Sequence, residues 1–317
     1  MKNAHYRHAL ITGGAGFIGS HLAERLIQEK IKVTVLDNLI TGKDENFSIL
    51  RKNKDFQFIQ GDIRDRRIIA SAIKDIDLLF HHAAVTSVFS SVVDPSSIED
   101  VNVIGTLNIL EAARKADVNQ IIFASSAAVY GRALKPPCNE CDTLSPISPY
   151  GITKMTAEHY CRVFYETYGL KSTALRYFNV YGPRQRTGLE GGVVAIFISR
   201  LLNGQRPIIF GNGKNTRDFI HVHDVVEATL RALEANTEFD IINIGTGIPT
   251  SILTLAETLS HLLGKEDIDP IFTKPREGDI ESSWCDPTHA KEVIHFSADI
   301  PLKEGLRKTL EVQTINE

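Results

Sequence analysis

The stretch Ala9-Leu10-Ile11-Thr12-Gly13-Gly14-Ala15-Gly16-Phe17-Ile18-Gly19 decides how the rest of the chain reads. Its first four residues are a short apolar run of the kind that forms a buried strand. Ile18, Leu22 and Leu26 then share one face at helical spacing, which predicts a helix over about 17–28. Between the two, Gly13, Gly16 and Gly19 stand as G-x-x-G-x-x-G. Glycines there permit a tight turn and a close backbone approach. The helix opens with free N–H groups and the positive end of its dipole, a cradle suited to a diphosphate.

Further strands follow at 32–37, 56–59, 78–81 and 120–124, each separated by helical sequence, and 240–244 reads as one more strand of the same sheet. Strands alternating with helices imply parallel pairing through right-handed crossovers. The expected fold is therefore α/β, a doubly wound parallel sheet of Rossmann type with a smaller C-terminal substrate-binding lobe. The lobes interleave: 1–177 with about 216–250 form the nucleotide-binding part, and 178–215 with 251–317 the other. Asp94-Pro95 opens a helix running to about Lys115 with apolar residues at Ile98, Val101, Leu107, Leu110 and Ala113. Ser148-Pro149 opens another, to about Tyr168. Both carry enough apolar surface to suit pairing with a second copy, so a homodimer is expected.

The 317 residues carry 39 acidic against 35 basic side chains, a net charge of −4, which excludes the strong basic bias of a nucleic-acid-coating protein. No run of 18 apolar residues suggests a membrane span, and the polar start reads as no signal peptide, so a cytoplasmic protein is expected. Cys138, Cys141, Cys161 and Cys285 are too few for a disulfide framework. Cys138-Asn139-Glu140-Cys141 lacks a second pair of ligands for zinc, and no metal is assigned. His221 and His223 read as structural, with Asp224 capping the following helix, and His81-His82 as packing at a strand end.

Asp37 ends the second strand, 18 residues past Gly19, where a carboxylate accepts hydrogen bonds from ribose hydroxyls. No Arg or Lys follows before Lys43, which favours NAD over NADP. Asp62 is placed to reach adenine. Tyr150 and Lys154 stand at i and i+4 on one helix face. A phenol is a poor base at neutral pH, so the Lys154 ammonium, with the positive nicotinamide ring nearby, is expected to lower its pKa and let Tyr150 take a proton from a substrate hydroxyl. Ser126, directly after a strand at the sheet's ligand-binding edge, is suited to hold the same substrate oxygen.

These motifs, with His81-His82-Ala83-Ala84, Asn102, Arg176-Tyr177-Phe178-Asn179-Val180-Tyr181-Gly182-Pro183-Arg184, Thr216-Arg217-Asp218-Phe219-Ile220-His221-Val222 and Pro275-Arg276-Glu277-Gly278-Asp279, run nearly end to end. Together they resemble the extended short-chain dehydrogenase/reductases, specifically the nucleotide-sugar epimerases and dehydratases. The resemblance implies that Ser126, Tyr150 and Lys154 are catalytic. It implies NAD contacts at Gly13, Gly16, Phe17, Ile18, Asp37, Asn38, Gly42, Asp62, Ile63, Ala83, Ala84, Thr86, Tyr150, Lys154 and Tyr177. It implies substrate contacts at Ser87, Ser125, Ser126, Asn179, Gly192, Val193, Ile208, Phe210, Arg217, Arg276, Asp279 and Ser283. Within these, Asn179, Arg217 and Arg276 would grip the diphosphate, Asp279 a ribose, and the backbone near Ile208 and Phe210 a uracil.

In the 4,6-dehydratases, acidic residues follow the catalytic Ser or Thr. Here Ala127 and Ala128 stand there and cannot transfer a proton. Epimerisation at C4 of a UDP-hexose, through a transient 4-keto sugar, needs no such acid. Ser283, seven places after Arg276, matches the position facing the sugar's C2 substituent, and its small size would admit an N-acetyl group. UDP-GlcNAc/UDP-GalNAc are then expected beside UDP-Glc/UDP-Gal. A dehydratase or reductase of the same family, and a non-catalytic NAD-binding sensor, are the alternatives.

Overall fold

The computed structural model describes residues 6–132, 136–187, 191–275 and 279–314, the last three residues without their side chains. β1 (His8–Thr12) leads through the glycine turn into α1 (Phe17–Gln28), followed by β2 (Lys32–Asp37), β3 (Phe56–Gln60), α2 (Arg66–Ala72) and β4 (Leu78–His81). Next come α3 (Val88–Val93), α4 (Pro95–Glu99), α5 (Thr106–Lys115), β5 (Gln120–Ser126), α6 (Pro149–Tyr168) and β6 (Ser172–Tyr177). The chain continues with β7 (Asn179–Tyr181), α7 (Val193–Leu202), β8 (Ile208–Phe210), β9 (Thr216–His221), α8 (Val222–Ala235) and β10 (Phe239–Ile244). It ends with β11 (Pro249–Ser251), α9 (Ile252–Leu262), β12 (Ile271–Thr273), β13 (Ser282–Ser283), α10 (Thr288–Val293) and α11 (Leu302–Thr314).

Seven strands form one sheet in the order β10-β6-β5-β4-β1-β2-β3, every pair parallel. Strand alternation divides its apolar side chains between two faces. Ile11, Val33 and Val35 pack with Leu22 and Leu26 of α1 and with α8 residues such as Val225 and Leu230. Leu10, Leu36 and Phe123 pack on the other face with Ile69, Ile109, Ala157 and Phe164 of α2, α5 and α6. Burying each large aliphatic or aromatic side chain contributes about 1.5–3 kcal/mol. Because all strands run one way, the loops after β1, β2, β4, β5 and β6 open on a single edge.

α6 has its ends written in its own residues. Ser148 accepts from the Gly151 N–H at 3.1 Å, Pro149 occupies the first turn, and Gly169 closes the helix at φ 72°. The helix expected from Asp94 to Lys115 is interrupted. Between α4 and α5 the chain makes a π-helical turn, Asp100–Gly105. The widened turn lets Asn102 hold the backbone of Val85, accepting from its N–H at 2.8 Å and donating to its carbonyl at 3.0 Å.

Beyond Tyr177 the chain leaves the large sheet. β9 is the centre of a second sheet, pairing with β7 and β13 in parallel and β11 antiparallel, while β8 and β12 form a separate parallel pair. Residues 216–221, expected within the nucleotide-binding half, therefore belong to the second sheet. The reason is Asp218, fully buried, whose carboxylate accepts from the Thr246, Gly247 and Cys285 N–H groups and the Thr246 hydroxyl. These bonds tie β9 to the loop after β10 and to β13. No helix among the described residues is long and apolar enough to cross a membrane.

Candidate active site

The glycine turn has the shape that a dinucleotide requires. Gly13 adopts φ 73°, and a Cβ there would stand 2.6 Å from the Ala83 nitrogen. α1 begins at Gly16 with no side-chain cap, so its first N–H groups remain available to an anion. Asp37, 8% exposed, accepts from the Ala15 N–H at 3.0 Å and the Leu39 N–H at 2.8 Å. Burial raises its pKa, and two oxygens leave it capacity for ribose hydroxyls. Gly42 lies against it, since a Cβ on Gly42 would meet Ala15 and Asp37. These residues fit NAD.

Other expected cofactor residues are already engaged. Asp62 accepts from Asn38 Nδ2 at 2.9 Å and from Arg64, whose guanidinium holds the carboxyl well below its ordinary range. The Ile63 side chain is buried and its carbonyl accepts from Asn108. In the loop after β4, the Ala83 N–H donates to Thr12 Oγ1, Ala84 is half-buried and Thr86 is exposed. Tyr177, expected to touch NAD, has its ring in the apolar core and its hydroxyl against Thr229 at 3.1 Å, so only its backbone reaches the sheet edge.

Ser126 and Tyr150 meet at the end of β5. Ser126 is close enough to relieve the burial of the phenol in part, and its hydroxyl accepts from the Ala128 N–H at 3.2 Å. Lys154 donates to the Ala124 carbonyl at 2.7 Å, lies 4.8 Å from the Phe123 ring centroid and 6.0 Å from that of Tyr150. The expected acidification of the phenol is absent from the protein alone. Burial pushes Tyr150 up to about 12, relieved in part by Ser126, and pulls Lys154 down to about 8. In a dry site both charged forms lose hydration, and the ammonium is directed at a carbonyl and an aromatic face rather than at the phenolate.

Two expected substrate residues turn elsewhere. Ser125 points away from Ser126 by strand alternation, and its hydroxyl donates to Glu158. Ser87 accepts from the Ser90 N–H as the cap of α3.

The second sheet gathers most of the others. Arg217 donates to Asp279 at 2.8 Å, and Asp279 also accepts from Asn215 at 2.9 Å. Ser283 stands beside Arg217 in the β13–β9 register. Asn179, two residues past the end of β6, lines a cleft with Gly192, Val193, Gln185 and Phe219. Ile208 and Phe210 lie on β8, away from that cleft's lining. Arg276 lies outside the described residues.

Glu158 and His21 carry no motif signal, and several motif residues make contacts that the motifs do not announce. Glu158 and Arg176 form an ion pair at 2.8 Å with each side chain 2% exposed. A charge amid the apolar run of β6 was the available signal, since a buried guanidinium requires an anion. His21 bonds the Pro183 carbonyl at 3.0 Å and packs edge-on against His223, which packs likewise against His221. His221, rather than Asp224, caps α8. Asp224 instead accepts from the Asp299 and Ile300 N–H groups, which shifts it from cap to tether. Beside the same turn Arg184 reaches Ser20 and Glu24 of α1. His81 is bonded on both nitrogens, to Thr12 at 2.7 Å and Thr106 at 2.9 Å. No cluster of three metal-binding side chains occurs among the described residues.

Residues 9–245 match the NAD dependent epimerase/dehydratase family. A putative UDP-glucose 4-epimerase of Methanocaldococcus jannaschii is 43% identical over 95% of this chain and 96% of its own length. A UDP-glucose 4-epimerase from Thermotoga maritima, solved with UDP-glucose, superposes with a TM-score of 0.91 at 40% identity, covering 98% of this chain and 99% of that one. A UDP-N-acetylglucosamine 4-epimerase from Methanobrevibacter ruminantium, solved with UDP-N-acetylmuramic acid, gives 0.94 at 36% identity over 99% and 100%. Decarboxylases and dehydratases are also among the relatives. With a glycine turn, buried acid and Ser/Tyr/Lys set on one sheet edge, the chain belongs to the NAD dependent epimerase/dehydratase family.

Proposed function

We propose that this enzyme interconverts the C4 epimers of a UDP-hexose, accepting UDP-GlcNAc and UDP-GalNAc beside UDP-Glc and UDP-Gal. The observation that carries this reading is Ser126 at the end of β5 beside the buried Tyr150 of α6, with Ala127 and Ala128 following Ser126 directly. One phenol is present to move the proton of the 4-OH, and no acid follows to drive loss of water. Ser126 holds the same oxygen, and Tyr150 takes the proton and later returns it. Lys154 lends positive charge and a hydrogen bond to the cofactor's ribose. When bound, NAD supplies the hydride acceptor and donor and a positive ring beside the phenol. Arg217, Asn179 and Arg276 anchor the diphosphate and Asp279 a ribose, so the sugar can turn while its handle stays fixed. Ser283 leaves room at C2. The 4-epimerase names of relatives on both N-acetylated and plain hexoses support the same choice.

A second copy is proposed to cover the apolar face of α3 and α6, where Phe89, Val92, Val93, Ile152 and Val163 are 49–73% exposed. Sedimentation velocity reading a dimer supports this, and a monomer at micromolar concentration rejects it.

The test is incubation of the purified protein with each UDP-sugar and NMR of the products. Interconversion at C4 without added reductant is expected. Loss of water or of a carboxyl group would replace the reading with a dehydratase or decarboxylase.

A further inference from the structure

Lys154 and Glu158 lie one helical turn apart on the buried face of α6. Glu158 is held rigidly from behind. Its two oxygens accept from Arg176 Nε at 3.0 Å and a terminal guanidinium nitrogen at 2.8 Å, and Ser125 donates a further bond. Arg176 is itself fixed, donating to the Tyr130 hydroxyl at 2.9 Å and the Glu140 carbonyl at 3.2 Å, while Tyr130 donates to Asn243 at 2.7 Å. Both oxygens of this carboxylate thus have charge-assisted donors in a dry interior.

We propose that Glu158 is a positioning residue of the active site: its buried carboxylate, fixed by Arg176 and Ser125, holds Lys154 as a charged ammonium. The other groups around Lys154 supply no anion. From β4, His81 and His82 are kept neutral by burial, their pKa values pulled to about 3. From β5 come the Phe123 ring and the Ala124 carbonyl. On α6, Tyr150 is a neutral phenol and the Cys161 thiol is pushed up to about 12. From β6, the charge of Arg176 is engaged by Glu158 itself. Burial opposes the ammonium, and Glu158 is the leading group that favours it. A buried ion pair seldom stabilises a fold more than apolar residues of the same shape would. Its location one turn from Lys154 gives it an electrostatic task instead.

This inference rests on Lys154 serving the chemistry proposed above. Its readout is a titration rather than turnover, so it fails or stands separately from the choice of sugar. The NAD-saturated protein is labelled with carbon-13 at lysine Cε, and the Lys154 signal is identified by its loss in Lys154→Met. In Glu158→Gln the Lys154 midpoint should fall by about one pH unit, leaving roughly tenfold less ammonium above it. That single change strands Arg176, so the double variant Glu158→Gln/Arg176→Met, with no buried charge unpaired, should fold and show a midpoint below the parent's, by less than the single variant because a cation leaves with the anion. Glu158→Asp, which keeps the charge, should titrate near the parent. The basic limb of the pH–rate profile should move with the midpoint. A parental midpoint in the double variant, an Asp variant as low as the Gln variant, or a double variant that cannot fold would each overturn the proposal.

Discussion

The two sheets differ in how far their candidate site residues are withdrawn from solvent, although each buries bonded polar groups such as Asp218 of β9. Around β4, β5 and α6, the side chains are buried and mutually bonded: His81 to Thr12 and Thr106, Asn102 to Val85 and Thr153, Glu158 to Arg176 and Ser125. Around β9 the charges nearer solvent pair with one another, Arg217 with Asp279 at 16% and 30% side-chain exposure. A packed network with these bonds fixes geometry before a ligand arrives, which suits proton transfer. An outer pair free to exchange partners suits the recognition role proposed for it. In the proposed function, chemistry thus falls to the first sheet and binding to the second.

The largest effect should come from the rigid side. Tyr150→Phe should lower turnover by roughly 10³-fold while leaving NAD bound, read by NMR of sugar interconversion and absorbance of the retained nicotinamide. Near-parental activity would remove Tyr150 as the base. Next comes the glycine turn. Gly13→Ala puts a side chain at φ 73° and against the Ala83 backbone, and should cost about 2–3 kcal/mol with loss of NAD affinity. Calorimetric binding as tight as the parent's would show that the turn yields.

The exchangeable side should respond differently. Arg217→Ala should raise KM about 10–100-fold with kcat little changed, the signature of binding lost equally in ground and transition states. An equal fall in kcat would erase the division between the two sheets. The smallest effect concerns the histidines that join α1 to the turn after β7. Burial pulls His21 from 6.5 to about 4, so the unfolded chain binds the extra proton between those values. Its contribution is full above about pH 6.5 and is lost as pH falls toward 4, about 2 kcal/mol between pH 7 and pH 5. Denaturant unfolding at both pH values should show this loss, and His21→Gln should flatten it. An unchanged slope would mean that the cluster is not held neutral.

What could be read directly was local. The apolar run 9–12, the glycines and the cap Ser148 with Pro149 each act within a few residues, and β1, α1 and α6 follow from them. The positions of Asp37 and Ser126 at strand ends and of Tyr150 and Lys154 on one face of α6 were legible because they stand at fixed offsets from such elements. Ser87 and Ser125 stand at equally plausible offsets, yet their hydroxyls turn to α3 and Glu158. A strand-end serine faces one of two sides, and a one-residue step exchanges them.

The order of elements, the parallel sheet and the residue types that meet at its edge follow from propensity, caps and periodicity, which are short-range. That β9 joins the second sheet, that a π-helical turn aims Asn102 at Val85, and that Glu158 finds Arg176 across 18 residues emerge once the chain has packed. Those outcomes depend on which buried polar group lacks a partner once the sheet has closed. Desolvation sets that requirement, and it acts through space rather than along the chain.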